Sequence, residues 1–142
     1  MAMTAHWSAQ LQREQLHRAA RDGDLSRVEA LLRAKYPVNR FDDLGHTPLH
    51  YAVGGEHLEV IARLIRAGAN VNAHDERTIG NTPLSDHADA CSYEAAKLLV
   101  DAGADPTIPG WMQLTALDRA RKRADAERVR RLLSDAAERL GR

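Results

Sequence analysis

The chain has 142 residues, about one domain's worth, and its 44% apolar and 28% charged content is ordinary for a globular, water-soluble protein. Twenty basic side chains cancel twenty acidic ones, so no net field draws the chain to nucleic acid or to an anionic membrane, and no run approaches the ~18 apolar residues of a membrane span. A single cysteine, Cys91, excludes an internal disulfide, and the first residues lack the basic-then-apolar pattern of a secretory signal; both point to the cytoplasm.

In chain order, residues 1–13 read as a capping segment, with Trp7 and Leu11 one helical turn apart. Four units follow, at about 14–46, 47–81, 82–114 and 115–141, and together with the cap they make one domain over 1–142. The second unit is the clearest. Thr47 can cap a helix whose first position is Pro48, where a missing N–H is harmless. That helix runs to about Val53 and breaks at Gly54-Gly55. Leu58, Ile61, Leu64 and Ile65 then share one face of a second helix, and Gly68 follows as a left-handed stop. Residues 71–80 are short, polar and turn-rich. Each unit therefore reads helix, turn, helix, extended loop.

The units repeat at about 33 residues in two registers. Thr47-Pro48-Leu49-His50 returns as Thr82-Pro83-Leu84-Ser85 and, weakened, as Thr115-Ala116-Leu117-Asp118; Leu16-His17 fills the slot one unit earlier. The stretch Arg66-Ala67-Gly68-Ala69-Asn70 returns as Asp101-Ala102-Gly103-Ala104-Asp105. Such a unit is too thin to bury its own apolar face, so neighbours must stack on a shared core, which also suits an aromatic content of only 4%. The last unit ends in an amphipathic stretch with Val129, Leu132, Leu133, Ala136 and Leu140 in one stripe and charged residues on the other faces, as the soluble end of a stack requires.

The pattern T-P-L-H-x-A, a second helix closing in L-x-x-x-G-A-x-x-N and the period of 33 resemble ankyrin repeats. The resemblance covers roughly residues 14–137. It implies an all-α ankyrin-repeat solenoid of stacked helix-turn-helix units with extended loops, and a non-catalytic protein–protein interaction module without cofactor or metal. It also implies that His17 and His50 are structural, bonding nearby backbone and the capping threonine. Binding would run along the loop tips and the exposed face of each first helix. Carried over by register, the tips hold Arg40, Phe41, Asp43, His74, Glu76, Arg77, Ile79, Trp111 and Met112, and the helix face holds Tyr51, Asp86, Asp89 and Arg119. Trp111 and Met112 could instead fold back over the junction of the third and fourth units. Mixed charge along this face suggests a polar, charge-patterned protein partner, and an inhibitor or immunity-type role is one form of it.

Two other chemistries compete. Asp86, His87 and Cys91 could serve a metal-dependent or thiol enzyme, since His87 and Cys91 are four residues apart. Against this, Cys91 falls at the helix–turn break, and His87 stands where a small alanine is usual. The basic run Arg119, Arg121, Lys122, Arg123, Arg128, Arg130 and Arg131 could grip phosphates, but Asp118, Asp125 and Glu127 interleave it and no aromatic platform accompanies it. Nucleic-acid binding is therefore not expected. Residues 81–111 carry a net charge of −4 and residues 112–142 one of +4. Arginine outnumbers lysine seventeen to three, a hint of a GC-rich, bacterial coding sequence.

Overall fold

The computed structural model describes residues 12–78 and 80–141. The cap residues Trp7 and Leu11, and the tip residue Ile79, lie outside them. Among the described residues eight α-helices follow one another in four pairs: α1 (Gln15–Asp22) with α2 (Leu25–Arg33), α3 (Pro48–Gly54) with α4 (Leu58–Arg66), α5 (Pro83–His87) with α6 (Tyr93–Asp101), and α7 (Ala116–Arg121) with α8 (Glu127–Arg139). The described residues contain no β-strand. Each inner helix packs on the next inner helix, from α1 through α3 and α5 to α7, and the outer helices α2, α4, α6 and α8 stack alongside in the same order. The all-α solenoid is thus what the residues build.

The repeat register reappears as a register in the core. Leu16, Leu49 and Leu84 are fully buried at equivalent places in α1, α3 and α5, and Leu64 of α4 and Leu99 of α6 do the same in the outer layer. Two faces differ from the periodicity. On α4 the buried set is Val60, Ile61 and Leu64, while Leu58 is exposed and Ile65 only half-buried. This helix is flanked by α2 and α6 as well as covered by α3, so its buried arc is wider than one stripe and turned toward Val60. On α8, Val129, Leu133, Ala136 and Ala137 are buried, but Leu140 lies past the helix end, where no further pair covers it, and is exposed.

Polar staples repeat as well. Asn39 donates from Nδ2 to Gly68 O and accepts the N–H of Asn70. One unit on, Asn72 donates to Gly103 O and accepts from Asp105 N–H. The carbonyl ends of the outer helices are closed by Gly68 and Gly103 at φ +97° and +98°, a left-handed conformation that glycine adopts without steric cost. In the first unit Lys35 takes the same place with φ +67°, which an L side chain disfavours. Between the turns, His57 donates to Arg21 O. The Glu56 carboxylate accepts from the N–H and hydroxyl of Ser92, and Arg123 donates to the carbonyls of Ala88 and Cys91.

Candidate protein-binding face

The inner-helix N-termini set the geometry of the face. Thr82 Oγ1 accepts the Ser85 N–H while Ser85 Oγ accepts the Thr82 N–H, and Thr115 and Asp118 repeat the exchange. In α3 the partner is His50. Thr47 N–H donates to His50 Nδ1 at 3.0 Å, so that nitrogen is unprotonated; the proton sits on Nε2 and is donated at 2.8 Å to the O of Asn81, the last residue of the same unit. His50 is fully buried, and burial pulls its pKa down to about 4, so it is neutral at pH 7. His17 works alike, donating from Nε2 to Arg40 O, with its pKa lowered by burial. Both histidines therefore tie an inner helix to the loop that closes its own unit, and sequence had assigned them a structural role.

Asn81 is the junction that sequence reading missed. It is buried, its carbonyl receives His50, its Nδ2 donates to Asp86 Oδ1, and its Oδ1 accepts the Trp111 N–H at 2.9 Å. One side chain thus couples the inner helix face to the tip of the third unit. The available signal was position: Asn81 closes its unit immediately before the capping Thr82, where its own backbone must meet that unit's histidine.

The three tips differ. In the first, Asp42 accepts the N–H groups of Leu44 and His46 and the hydroxyl of Tyr51. Burial opposes ionisation, but these hydrogen bonds prevail and hold the Asp42 carboxyl below the usual range. Burial and the facing carboxylate push Tyr51 well above the ordinary phenol value. Tyr51 is half-buried with its hydroxyl spent inside the molecule, and its ring meets His17 and His46 edge-on. Phe41 is half-buried as well; Arg40 and Asp43 are exposed. In the second tip, Arg77 folds onto Asp75, His74 donates from Nδ1 to Asn72 O, and Glu76 projects into solvent.

The third tip does not fold back over the core. Trp111 is 55% and Met112 68% exposed. The two sit in a single 3-10 turn, Trp111–Gln113, in which Met112 and Gln113 both take left-handed backbone with φ near +60°. Consecutive left-handed non-glycine residues cost about 1–2 kcal/mol each. The turn is held by Gly110 N–H to Leu114 O, Leu114 N–H to Trp111 O and the Asn81 bond. Gly110 is tight against that anchor, since a Cβ there would lie 2.1 Å from Asn81 Oδ1. Between the second and third tips lies a cleft of about 490 Å³, with His74, Glu76 and Thr78 on one wall and Trp111 and Met112 on the other.

On the inner helix face, Asp86 is gripped from three sides: His46 Nε2 and His87 Nε2 lie 3.5 and 3.4 Å from Oδ2, and Asn81 holds Oδ1. His87, where a small residue is usual, fits because Gly54 lies opposite; a Cβ there would stand 2.8 Å from the imidazole. A hollow of about 260 Å³ opens between Tyr51, Gly54 and His87. Asp89 is exposed, and Arg119 is half-buried.

The competing chemistries find other surroundings. The α5 helix ends at His87, the chain turns through 88–90, and Cys91 is buried beneath it. Burial pushes the thiol up to about 11, so it is protonated at pH 7 and a poor nucleophile. No group of three His, Cys, Asp or Glu side chains among the described residues is arranged to hold a metal ion. The basic run is dispersed: Arg123 caps the carbonyls of Ala88 and Cys91, Arg130 donates to Arg123 O, Arg131 pairs with Glu127, and Arg128 stacks on Tyr93. No helix among the described residues is long and apolar enough to cross a membrane.

Comparison with known proteins adds the family. A family model described as ankyrin repeats, in three copies, matches residues 16–109. The probable E3 ubiquitin-protein ligase XBOS32 of Oryza sativa is 38% identical over 82 residues, 56% of this chain and 16% of that protein. The human BCL-6 corepressor-like protein 1 is 34% identical over 121 residues, covering 84% of this chain but 6% of its own length. The putative E3 ubiquitin-protein ligase XBAT34 of Arabidopsis thaliana is 30% identical over 122 residues, 85% of this chain and 32% of that protein. The chain thus spans a third or less of these relatives, whose names differ while the matched region is shared.

Proposed function

The chain belongs to the ankyrin-repeat family, whose repeats are protein-interaction modules, and from that premise we propose that it is a non-catalytic scaffold gripping a protein partner with its third tip, backed by the inner helix face. One observation carries the reading. A turn that holds two left-handed non-glycine residues, pinned by the buried Asn81, keeps an indole and a thioether in solvent beside a cleft. Strained backbone persists where the surroundings over-determine it, and such sites cluster at ligand clamps. Tryptophan is among the side chains that dominate binding hot spots. Glu76 across the cleft and Asp86 with its histidines on the helix face supply polar groups that select among partners. The partner would be a polar, charge-patterned protein surface that inserts an apolar group against Trp111.

The test uses two positions of nearly equal exposure, Met112 at 68% and Leu44 at 63%. A photo-crosslinking residue is placed at each, and both proteins are irradiated in lysate. The expected result is one protein captured from position 112, lost when Trp111→Ala is added, and not captured from position 44. Equal capture from both positions, or capture indifferent to Trp111→Ala, would overturn the assignment.

A further inference from the structure

A second surface lies on the outer helices and shares no residue with the tip cleft. Where α6 and α8 run side by side they enclose a groove of about 440 Å³. Its floor is apolar, made by the half-buried Tyr93 and Leu132. Four cations line it against two carboxylates, in a chain whose charges cancel overall. Two of the cations are already neutralised, Lys97 by Asp101 at 2.9 Å and Arg131 by Glu127 at 3.1 Å. Arg128 has its guanidinium 3.9 Å from the centre of the Tyr93 ring, and neither it nor Arg139 has a carboxylate partner among the described residues; Asp135 is the one acidic side chain left facing them.

We propose that this groove is a second docking surface, for an acidic, leucine-bearing helical segment of another protein. The charge balance selects the sign of the occupant, and the floor selects its apolar character. Leu132 is the reason the groove is more than a solvated end: it sits on the same stripe of α8 as Arg128 and Asp135, four residues after one and three before the other, so an apolar contact is flanked by charge along the groove. A segment with leucines on one helical face and glutamates at its edges would cover the Tyr93–Leu132 floor while its carboxylates reach Arg128 and Arg139. With the tip face occupied as well, the protein would bridge two partners. The two surfaces stand or fall separately.

The experiment titrates the full chain, labelled for amide NMR, with a short capped peptide of Glu and Leu whose leucines fall on one helical face, and with its Gln-for-Glu counterpart. The expected result is shifts at Tyr93, Lys97 and the α8 amides with the Glu peptide only, weakening as salt is raised. The Arg128→Glu/Arg139→Glu variant, both positions being exposed, keeps its circular dichroism and melting temperature and loses affinity on the order of tenfold. Trp111→Ala leaves this binding unchanged. Absence of shifts, equal response to the Gln peptide, indifference to the double variant, or displacement of the peptide by single-stranded oligo(dT) would each overturn the proposal.

Discussion

The first and third tips occupy equivalent places in the stack, and Leu44 and Met112 are exposed to nearly the same degree, yet they are built in opposite ways. In the first, Asp42 satisfies two backbone N–H groups and the Tyr51 hydroxyl, and the left-handed position falls on Gly45. In the third, the left-handed positions fall on Met112 and Gln113 although Gly110 is two residues away, and the turn hangs from Asn81. Exposure alone does not mark a working surface. On the proposed reading, exposure held at a cost by a buried anchor does.

The largest effect is expected at the anchor's own support. His50→Ala would leave the Thr47 N–H and Asn81 O buried without partners and open a cavity, at a cost of about 3–4 kcal/mol read from the urea midpoint. Acid should act on the same group. His50 titrates at about 4 when folded and near 6.5 when unfolded, so the unfolded state binds more protons between those values. Stability is therefore full above pH 6.5 and falls as pH drops toward 4, by up to about 3 kcal/mol. His17 shifts in the same direction, so His50→Ser should flatten this acid slope without abolishing it.

Breaking the first tip should cost less. Asp42→Ala removes the acceptor of three donors in a half-buried loop and is expected to lower stability by about 2 kcal/mol without changing capture at position 112. The smallest effect sharpens the contrast. Lys35 has the same left-handed backbone as Met112 but does not line the cleft beside the third tip. Lys35→Gly should raise stability by about 1 kcal/mol, with partner binding unaffected. Loss of binding there would show that relief of strain anywhere in the stack weakens the grip.

The fold was legible because it is written twice. Thr-Pro at the inner helix and Gly-Ala at the end of the outer helix recur at one period, and each signals local backbone that needs little help from distant residues. His17 and His50 were legible for the same reason. The candidate site was legible only as a set of loops. The strain at Met112 and Gln113 leaves no mark on composition or period, because neither residue is a type that signals left-handed backbone. The roles of Asn81 and Asp42 depend on which donors the stack brings to them from other units or turns. The fit of His87 depends on Gly54, thirty-three residues earlier. Leu58 and Leu140 misled because helical periodicity names a stripe but does not say how many neighbours a helix has.

The claim that strain at the third tip serves display is tested most directly by Met112→Gly/Gln113→Gly, measuring melting temperature and affinity for the protein crosslinked at position 112 on the same sample. The account expects the two to move in opposite directions. Melting temperature rises by several degrees as about 2–4 kcal/mol of backbone strain over the two residues is relieved, partly offset by the greater unfolded-state freedom of two glycines, and affinity falls because the turn no longer holds Trp111 outward. A higher melting temperature with unchanged affinity would contradict it.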